Sequence, residues 1–177
     1  MIISLSITTS VVLLAVAAYY VYRYYRALHP AKEDDQTSNF TNMALTRPLR
    51  NNNPLNIRIS NNNWLGKIPV EQNTDKAFEQ FTNIKWGTRA AMINLRTYYK
   101  RDGLKTIRQI VSKWAPEKDN NLTESYIKHV SQRMAIPENQ ELEYNKVTWC
   151  RLVAAMAISE GAGKLSQELL DEAWNLI

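Results

Sequence analysis

The sequence contains few of the residues on which covalent cross-links and metal centres depend. It has one cysteine, Cys150, and two histidines, His29 and His129, in 177 residues. One cysteine cannot form an intrachain disulfide, and its position in an apolar helical pattern predicts a buried, unreactive thiol. No group of His, Cys and acidic residues has the spacing of metal ligands, which argues against a zinc hydrolase. The sequence therefore predicts neither a metal site nor a cofactor.

Acidic residues are also fewer than basic ones, by a small margin. The 22 Lys and Arg exceed the 17 Asp and Glu, which gives a formal net charge of +5. Basic and acidic residues balance before residue 40, so the excess lies in the C-terminal part. A mildly basic domain suits an anionic partner, such as a cell wall, a membrane surface or a nucleic acid. The basic residues are scattered and do not gather on one helix face, so we predict no specific nucleic acid partner.

One long run without charge occupies residues 2–22. About 20 apolar residues in a helix cross a hydrocarbon core about 30 Å thick. The letters RYYR at 23–26 form the basic and aromatic border typical of the membrane interface. A cleaved signal peptide is the alternative, but the run has no basic residue before it and its cleavage signal is weak. We therefore predict a transmembrane anchor over residues 1–29, a flexible polar linker over 30–46 and a domain over 47–177.

The domain pattern changes from β-like to helical along its length. Three short β-like stretches occur at 55–59, 67–71 and 77–81, with turn residues between them. Beyond residue 86, apolar residues recur at helical spacing, and Tyr98 and Trp114 belong to these apolar faces. The predicted fold is mainly α, in an α+β arrangement of a small antiparallel hairpin region packed with about five helices. Five helices are predicted: one that ends before Asp102, one that ends before Pro116, one that contains 126–130, one that spans 144–160 and one that begins after Ser166.

Several short motifs follow one another between residues 47 and 162. They are RNNNPLNIR at 50–58, WLG at 64–66, FEQF at 78–81, WGTRA at 86–90, TIRQI at 106–110, WAP at 114–116 and NNLTESY at 120–126. In these motifs the chain resembles a family of phage and prophage proteins that are described as virion structural proteins or lysins. The resemblance implies a virion-associated peptidoglycan hydrolase with a lysozyme-like or lytic-transglycosylase-like fold.

Glu160 is the predicted catalytic residue. Lysozyme-like enzymes carry a catalytic glutamate on an early helix, and here the letters AMAISEG at 155–161 resemble the end of such a helix. We therefore hypothesise a circularly permuted order, with the glutamate-bearing helix late in the chain and the Asn-rich hairpin first. Apolar neighbours and the negative end of the helix dipole should both raise the pKa of Glu160, as a general acid requires.

Six further residues are candidates for substrate binding, and each also has a purely structural interpretation. Asparagine amides suit sugar hydroxyl and acetamido groups but also form turns. Arginine could bind stem-peptide carboxylates or pair with surface acids, tryptophans could stack on sugars or pack in the core, and Tyr126 could bond Glu160, the glycan or neither. The predicted substrate-binding residues are Asn53, Asn56, Arg58, Trp64, Trp86 and Tyr126.

The sequence lacks a clear second catalytic acid. Asp75 and Glu79 are the candidates in the hairpin region, and both are expected at the surface. This favours the lytic transglycosylase route, in which the 6-hydroxyl of the substrate attacks, over a muramidase with two carboxylates.

The sequence therefore predicts a membrane-anchored, virion-associated enzyme that cleaves peptidoglycan during infection or release. Its partners would be peptidoglycan, a lipid bilayer and other virion proteins, and its location the internal membrane of a virion or the host inner membrane. Three alternatives remain open: a catalytically inactive structural or wall-binding virion protein, a membrane protein that tethers a genome, and a lysis protein of the host membrane.

Overall fold

The computed structural model describes residues 45–119 and 122–177, which belong to the compact unit Asn42–Ile177. Within them the protein is mainly helical, as predicted. The α-helices are α1 Arg47–Arg50, α2 Ile84–Lys100, α3 Ile107–Trp114, α4 Thr123–Met134, α5 Lys146–Ser159 and α6 Gln167–Trp174, and a 3-10 turn spans Glu117–Asp119.

The predicted anchor at 1–29 and nearly all of the predicted linker at 30–46 lie outside the described residues. Among the described helices, none combines the length and the apolar character needed to cross a bilayer.

The five longer helices agree with the five predicted ones, and polar side chains fix where several of them begin. Thr106 and Gln109 form a capping box at the start of α3, and Asn83, Asn145 and Ser166 accept hydrogen bonds from the first turns of α2, α5 and α6. The short helix α1 was not predicted, since four residues are too few for a periodic pattern.

Helix α5 lies at the centre of the core. It contacts α2, α4 and α6, and its side chains Trp149, Leu152, Val153 and Met156 have no exposed surface. Burying one such side chain stabilises a fold by about 1.5–3 kcal/mol. The residue that follows α5 is Glu160, so this carboxyl group stands at the end of a tightly packed helix.

The predicted hairpin region is wrong as a sheet, because the described residues there form isolated antiparallel bridges and no strand. The third β-like stretch lies between the other two: the Glu79 N–H donates to Ile57 O at 2.8 Å, and the Ile68 N–H donates to Gln80 O at 2.8 Å. Side chains compete for the backbone groups around these bridges, as when Asn53 Oδ1 accepts from the Ile57 N–H. Pairing therefore stops after one or two residues.

The expectation that Asp75 and Glu79 lie at the surface is also wrong. Asp75 is 8% exposed and Glu79 is fully buried. Asn51 donates a hydrogen bond to Asp75, which also pairs with Arg47 at 2.9 Å, and Glu79 pairs with Lys67 at 2.9 Å. These partners come from other segments of the chain, so the polar character of the two acids in the sequence could not reveal them.

Gly87 on α2 is the point where this helix meets the Asn-rich loop. A Cβ atom at this position would overlap the backbone carbonyl of Asn52, and backbone cannot move aside as a flexible side chain can. We expect Gly87→Ala to lower the free energy of unfolding by about 1–3 kcal/mol, although alanine favours a helix more than glycine does. Urea unfolding followed by circular dichroism measures this change.

The control for this substitution is Ser112→Ala, at an exposed position of α3, which should change stability by less than about 0.5 kcal/mol. A Gly87→Ala protein as stable as its parent would contradict the close approach of α2 to the loop.

Candidate active site

The carboxyl group of Glu160 receives hydrogen bonds from three side chains of separate segments. Trp114, the last residue of α3, donates from Nε1 to Oε1 at 3.0 Å, and the hydroxyl of Tyr126 on α4 donates to the same oxygen at 2.9 Å. Asn56, in the loop after α1, donates from Nδ2 to Oε2 at 3.0 Å. The site therefore assembles only when α3, α4, α5 and the Asn-rich loop have packed together.

All three donors are neutral, which distinguishes the half-buried Glu160 from the fully buried Glu79. Glu79 is buried against the ammonium group of Lys67, which neutralises it. Among the described residues, no lysine, arginine or histidine nitrogen lies within 4.0 Å of the Glu160 carboxyl group. A buried carboxyl without a cation is costly to ionise, and such groups are concentrated at functional sites.

The environment favours the protonated form of both acidic groups in the site. Burial raises the pKa of Glu160, the hydrogen bonds from Asn56, Tyr126 and Trp114 lower it in part, and the pKa stays above its ordinary value. Burial, followed by the neighbouring Glu160 carboxyl, raises the pKa of Tyr126 well above its ordinary value. Tyr126 therefore remains a phenol and a hydrogen-bond donor.

This donor arrangement favours one oxygen of Glu160 as the site of its proton. Trp114 Nε1 can only donate, and the Tyr126 hydroxyl lies within hydrogen-bond distance of the same oxygen and 3.4 Å from Met156 O, so Oε1 is the better placed acceptor. We therefore assign the acid proton to Oε2.

Asn56 can form a hydrogen bond with Oε2 whether or not Oε2 carries a proton. Its backbone is in the left-handed region, with φ of 51°, which asparagine tolerates better than most residues. Its Nδ2 donates to Oε2, while its Oδ1 is buried and has no partner among the described residues. Rotation of the amide would present Oδ1 as an acceptor to a protonated Oε2.

A pocket of about 210 Å³ lies next to two of the residues that hold this carboxyl group, although Glu160 itself is not part of its lining. Two residues that hold Glu160, Asn56 and Trp114, also line the pocket, so a bound molecule would contact the residues that orient the acid. The complete lining is Asn56, Ile57, Arg58, Ser60, Asn62, Asn94, Tyr98 and Trp114.

The structure brings together four of the seven residues predicted for the site. Glu160, Asn56 and Tyr126 are in direct contact, and Arg58 stands exposed at the pocket. Asn53 lies elsewhere, with no exposed surface, and its Nδ2 donates to Ile57 O and Glu79 O at 2.9 Å each. Both donors of Asn53 are thus used to hold the loop, and none is left for a sugar.

The two predicted tryptophans also lie away from the pocket. Trp64 and Trp86 are half-buried and pack against the core. Trp86 lies directly against Gly66, and Lys85 Nζ stands 5.1 Å from the centre of its ring. Packing, not sugar stacking, accounts for these contacts.

Three residues at the site, Trp114, Asn94 and Tyr98, were not predicted from the sequence. Tyr98 and Trp114 were assigned to apolar helix faces, and their rings do pack together with centroids 6.2 Å apart. A signal was present, because Asn94 interrupts an apolar stretch four residues before Tyr98 and so shares its helix face. The WAP motif at 114–116 gave a second signal.

Comparison with known proteins gives a phage relative. No protein-family model matches the chain. Protein P5 of Pseudoalteromonas phage PM2 is 42% identical to it over 113 residues, which make up 62% of this chain and 68% of that protein. The chain belongs to the P5 family. The phage assignment expected from the motifs is therefore confirmed, whereas the lysin activity of this P5-family protein stays a prediction.

Asn53 and Asn62 have opposite roles in this P5-family domain. Asn53→Ala should lower the free energy of unfolding by about 1–3 kcal/mol, because it leaves the Glu79 carbonyl and the Ile57 N–H of this buried region without partners. Asn62→Ala, at an exposed position, is the matched control and should change stability by less than about 0.5 kcal/mol. Equal stability of the two variants in urea unfolding would contradict the role given to Asn53.

The raised pKa of Glu160 makes stability depend on pH. The folded protein holds a proton that the unfolded chain, titrating near 4.5, has already lost. The stabilising contribution is therefore complete below pH 4.5 and is lost as pH rises through the folded pKa. Glu160→Gln removes this titration, and we expect its stability relative to the parent protein to increase over that interval.

Urea unfolding of the two proteins from about pH 4 to about pH 9 measures the difference. A parent protein that gains stability over Glu160→Gln as pH rises would show that the site favours the carboxylate instead.

Proposed function

We propose that this P5-family protein is a virion component that cleaves the glycan strands of peptidoglycan as a lytic transglycosylase, with Glu160 as its acid and base. One observation supports the proposal above the others: a half-buried carboxyl group without a cation is held by three neutral donors, and two of these donors, Asn56 and Trp114, line a polar pocket. Glycosidic cleavage requires a carboxylic acid whose pKa is raised, and burial raises the pKa of Glu160.

In this mechanism the proton leaves from Oε2 of Glu160. It passes to the glycosidic oxygen as the bond between that oxygen and the sugar C1 breaks. The resulting carboxylate then accepts the proton of the substrate's own 6-hydroxyl, whose oxygen attacks C1 and closes an anhydro ring. Glu160 is thereby protonated again, and no water is consumed.

The pocket lining supplies no carboxyl group that could act together with Glu160, which contacts the lining residues Asn56 and Trp114 and is not itself part of the lining, and this favours the route over hydrolysis. No aspartate or glutamate lines the pocket within the described residues. A hydrolase would need a second carboxylate, about 5–9.5 Å from the first, to act as nucleophile or to activate water. Asp75 and Glu79 do not serve, because both are buried in pairs with Arg47 and Lys67.

The predicted anchor at 1–29 would keep this activity at the bilayer of a virion or of the host inner membrane. Local wall cleavage at that place would aid passage of the phage during infection or release. A catalytically inactive wall-binding virion protein is the alternative, and it would keep the pocket without turnover.

Glu160→Gln provides the decisive test of cleavage. The full chain, incubated with purified sacculi, should release fragments ending in anhydro sugars, detected by mass spectrometry. We expect Glu160→Gln to release them at least about 100-fold more slowly, since general acid catalysis contributes roughly 10²–10⁴-fold.

The matched control is Glu168→Gln, at an exposed position of α6, which should cleave at the parent rate. Two results would count against the enzyme: a parent protein that binds sacculi and releases no fragment, or a Glu160→Gln variant that retains full activity.

A further inference from the structure

The pocket beside Glu160 contains polar side chains that the protein itself does not use. Within the described residues, the amides of Asn62 and Asn94 and the hydroxyl of Tyr98 make no side-chain hydrogen bond. The side chain of Arg58 is 67% exposed, and its guanidinium lies 4.0 Å from Asp119 and 5.7 Å from the centre of the Phe78 ring, so most of its donors are free. By contrast, the side chains of Asn51, Asn52 and Asn53 are engaged in the fold. Free polar groups that converge on one pocket indicate a ligand.

The chemistry of these groups defines the ligand. Side-chain amides both donate and accept, which matches an acetamido group and sugar hydroxyls. The rings of Tyr98 and Trp114, packed edge to face, offer an apolar wall for a sugar face or an acetamido methyl group. The guanidinium of Arg58 is a fork-shaped donor that suits a carboxylate.

The size of the pocket limits what it can hold. At about 210 Å³ it is smaller than the roughly 300–1,000 Å³ of sites for drug-sized ligands. One sugar residue fits this volume better than an oligosaccharide. The remaining residues of a glycan would then lie outside the pocket.

The loop that carries Asn62 is held in place by the half-buried ammonium group of Lys67. Lys67 Nζ donates to Ser60 O at 2.7 Å and to Asn62 O at 3.3 Å, and it is neutralised by Glu79. A loop fixed in this way loses little freedom when a ligand binds. The Lys67–Glu79 pair thus fixes the backbone of two residues that line the pocket, Ser60 and Asn62.

We propose that this pocket is the subsite for one N-acetylated amino sugar that bears a carboxylate, and that Arg58 selects this charged sugar over a neutral one. The proposal rests on the proposed function for the glycan to which the sugar belongs. Its carboxylate could come from the lactyl group of a peptide-free strand or from the stem peptide.

Binding to the full-length Glu160→Gln protein in detergent, measured by calorimetry, tests the proposal without turnover. The three probes are a neutral chitin tetrasaccharide, a peptide-free glycan fragment with free lactyl carboxylates, and the same fragment with its stem peptides. We expect one or both of the charged probes to bind about tenfold more tightly than chitin, because a charge-assisted hydrogen bond contributes about that factor. The tighter of the two identifies the source of the carboxylate.

The added substitution Arg58→Gln should remove this preference and leave chitin binding unchanged, whereas Arg133→Gln, at an exposed position of α4, should keep it. Equal affinity for all three probes, no binding of any, or a preference that survives Arg58→Gln would overturn the subsite. If the parent protein cleaves sacculi and any of these results is found, the proposed function holds and only the subsite is wrong. If the preference depends on Arg58 and no cleavage is found, the subsite holds and the proposed enzymatic activity is wrong.

Discussion

The structure depends most on how the carboxyl group of Glu160 is accommodated without a cation. Three neutral donors replace the water that this group loses on burial, and they come from positions 34 to 104 residues away in the sequence. Because Trp114 and Tyr126 both donate to Oε1, the two oxygens are not equivalent. The packing of α5 against its neighbours is therefore also what orients one oxygen toward Asn56, which lines the pocket.

The two buried glutamates show how burial alone fails to identify a functional acid. Glu79 is the more deeply buried, yet its pair with Lys67 explains it as part of the scaffold that holds the loop at 60–62. Glu160 is less buried and has no such pair among the described residues. Its raised pKa lowers the stability of the folded state at neutral pH. A destabilising group retained beside a pocket is typical of sites where function opposes stability.

The region before α2 forms no regular sheet, and this allows its loops to contribute residues to the site. The three β-like stretches meet through isolated bridges, and asparagine side chains bind the backbone groups that a longer ladder would have used. The loops between the bridges are thereby free to turn toward α2 and α3, where Asn56, Arg58 and Asn62 reach one pocket. Membership of the P5 family places this arrangement in a phage protein, and its chemistry is the basis for assigning it a glycan.

The sequence by itself determined the helices and the position of Glu160 at the end of the most apolar one. Apolar spacing and polar caps predicted α2 to α6, since both signals are local, and the apolar run that ends at Glu160 marked that residue for burial. Only the tertiary structure decided which polar residues face the pocket and which serve the core. Asn53 and Asn56 stand three positions apart in one motif, yet one holds the loop and the other holds the acid. The contacts that distinguish the two residues are made with distant segments, and the sequence of a single motif carries no information about such contacts.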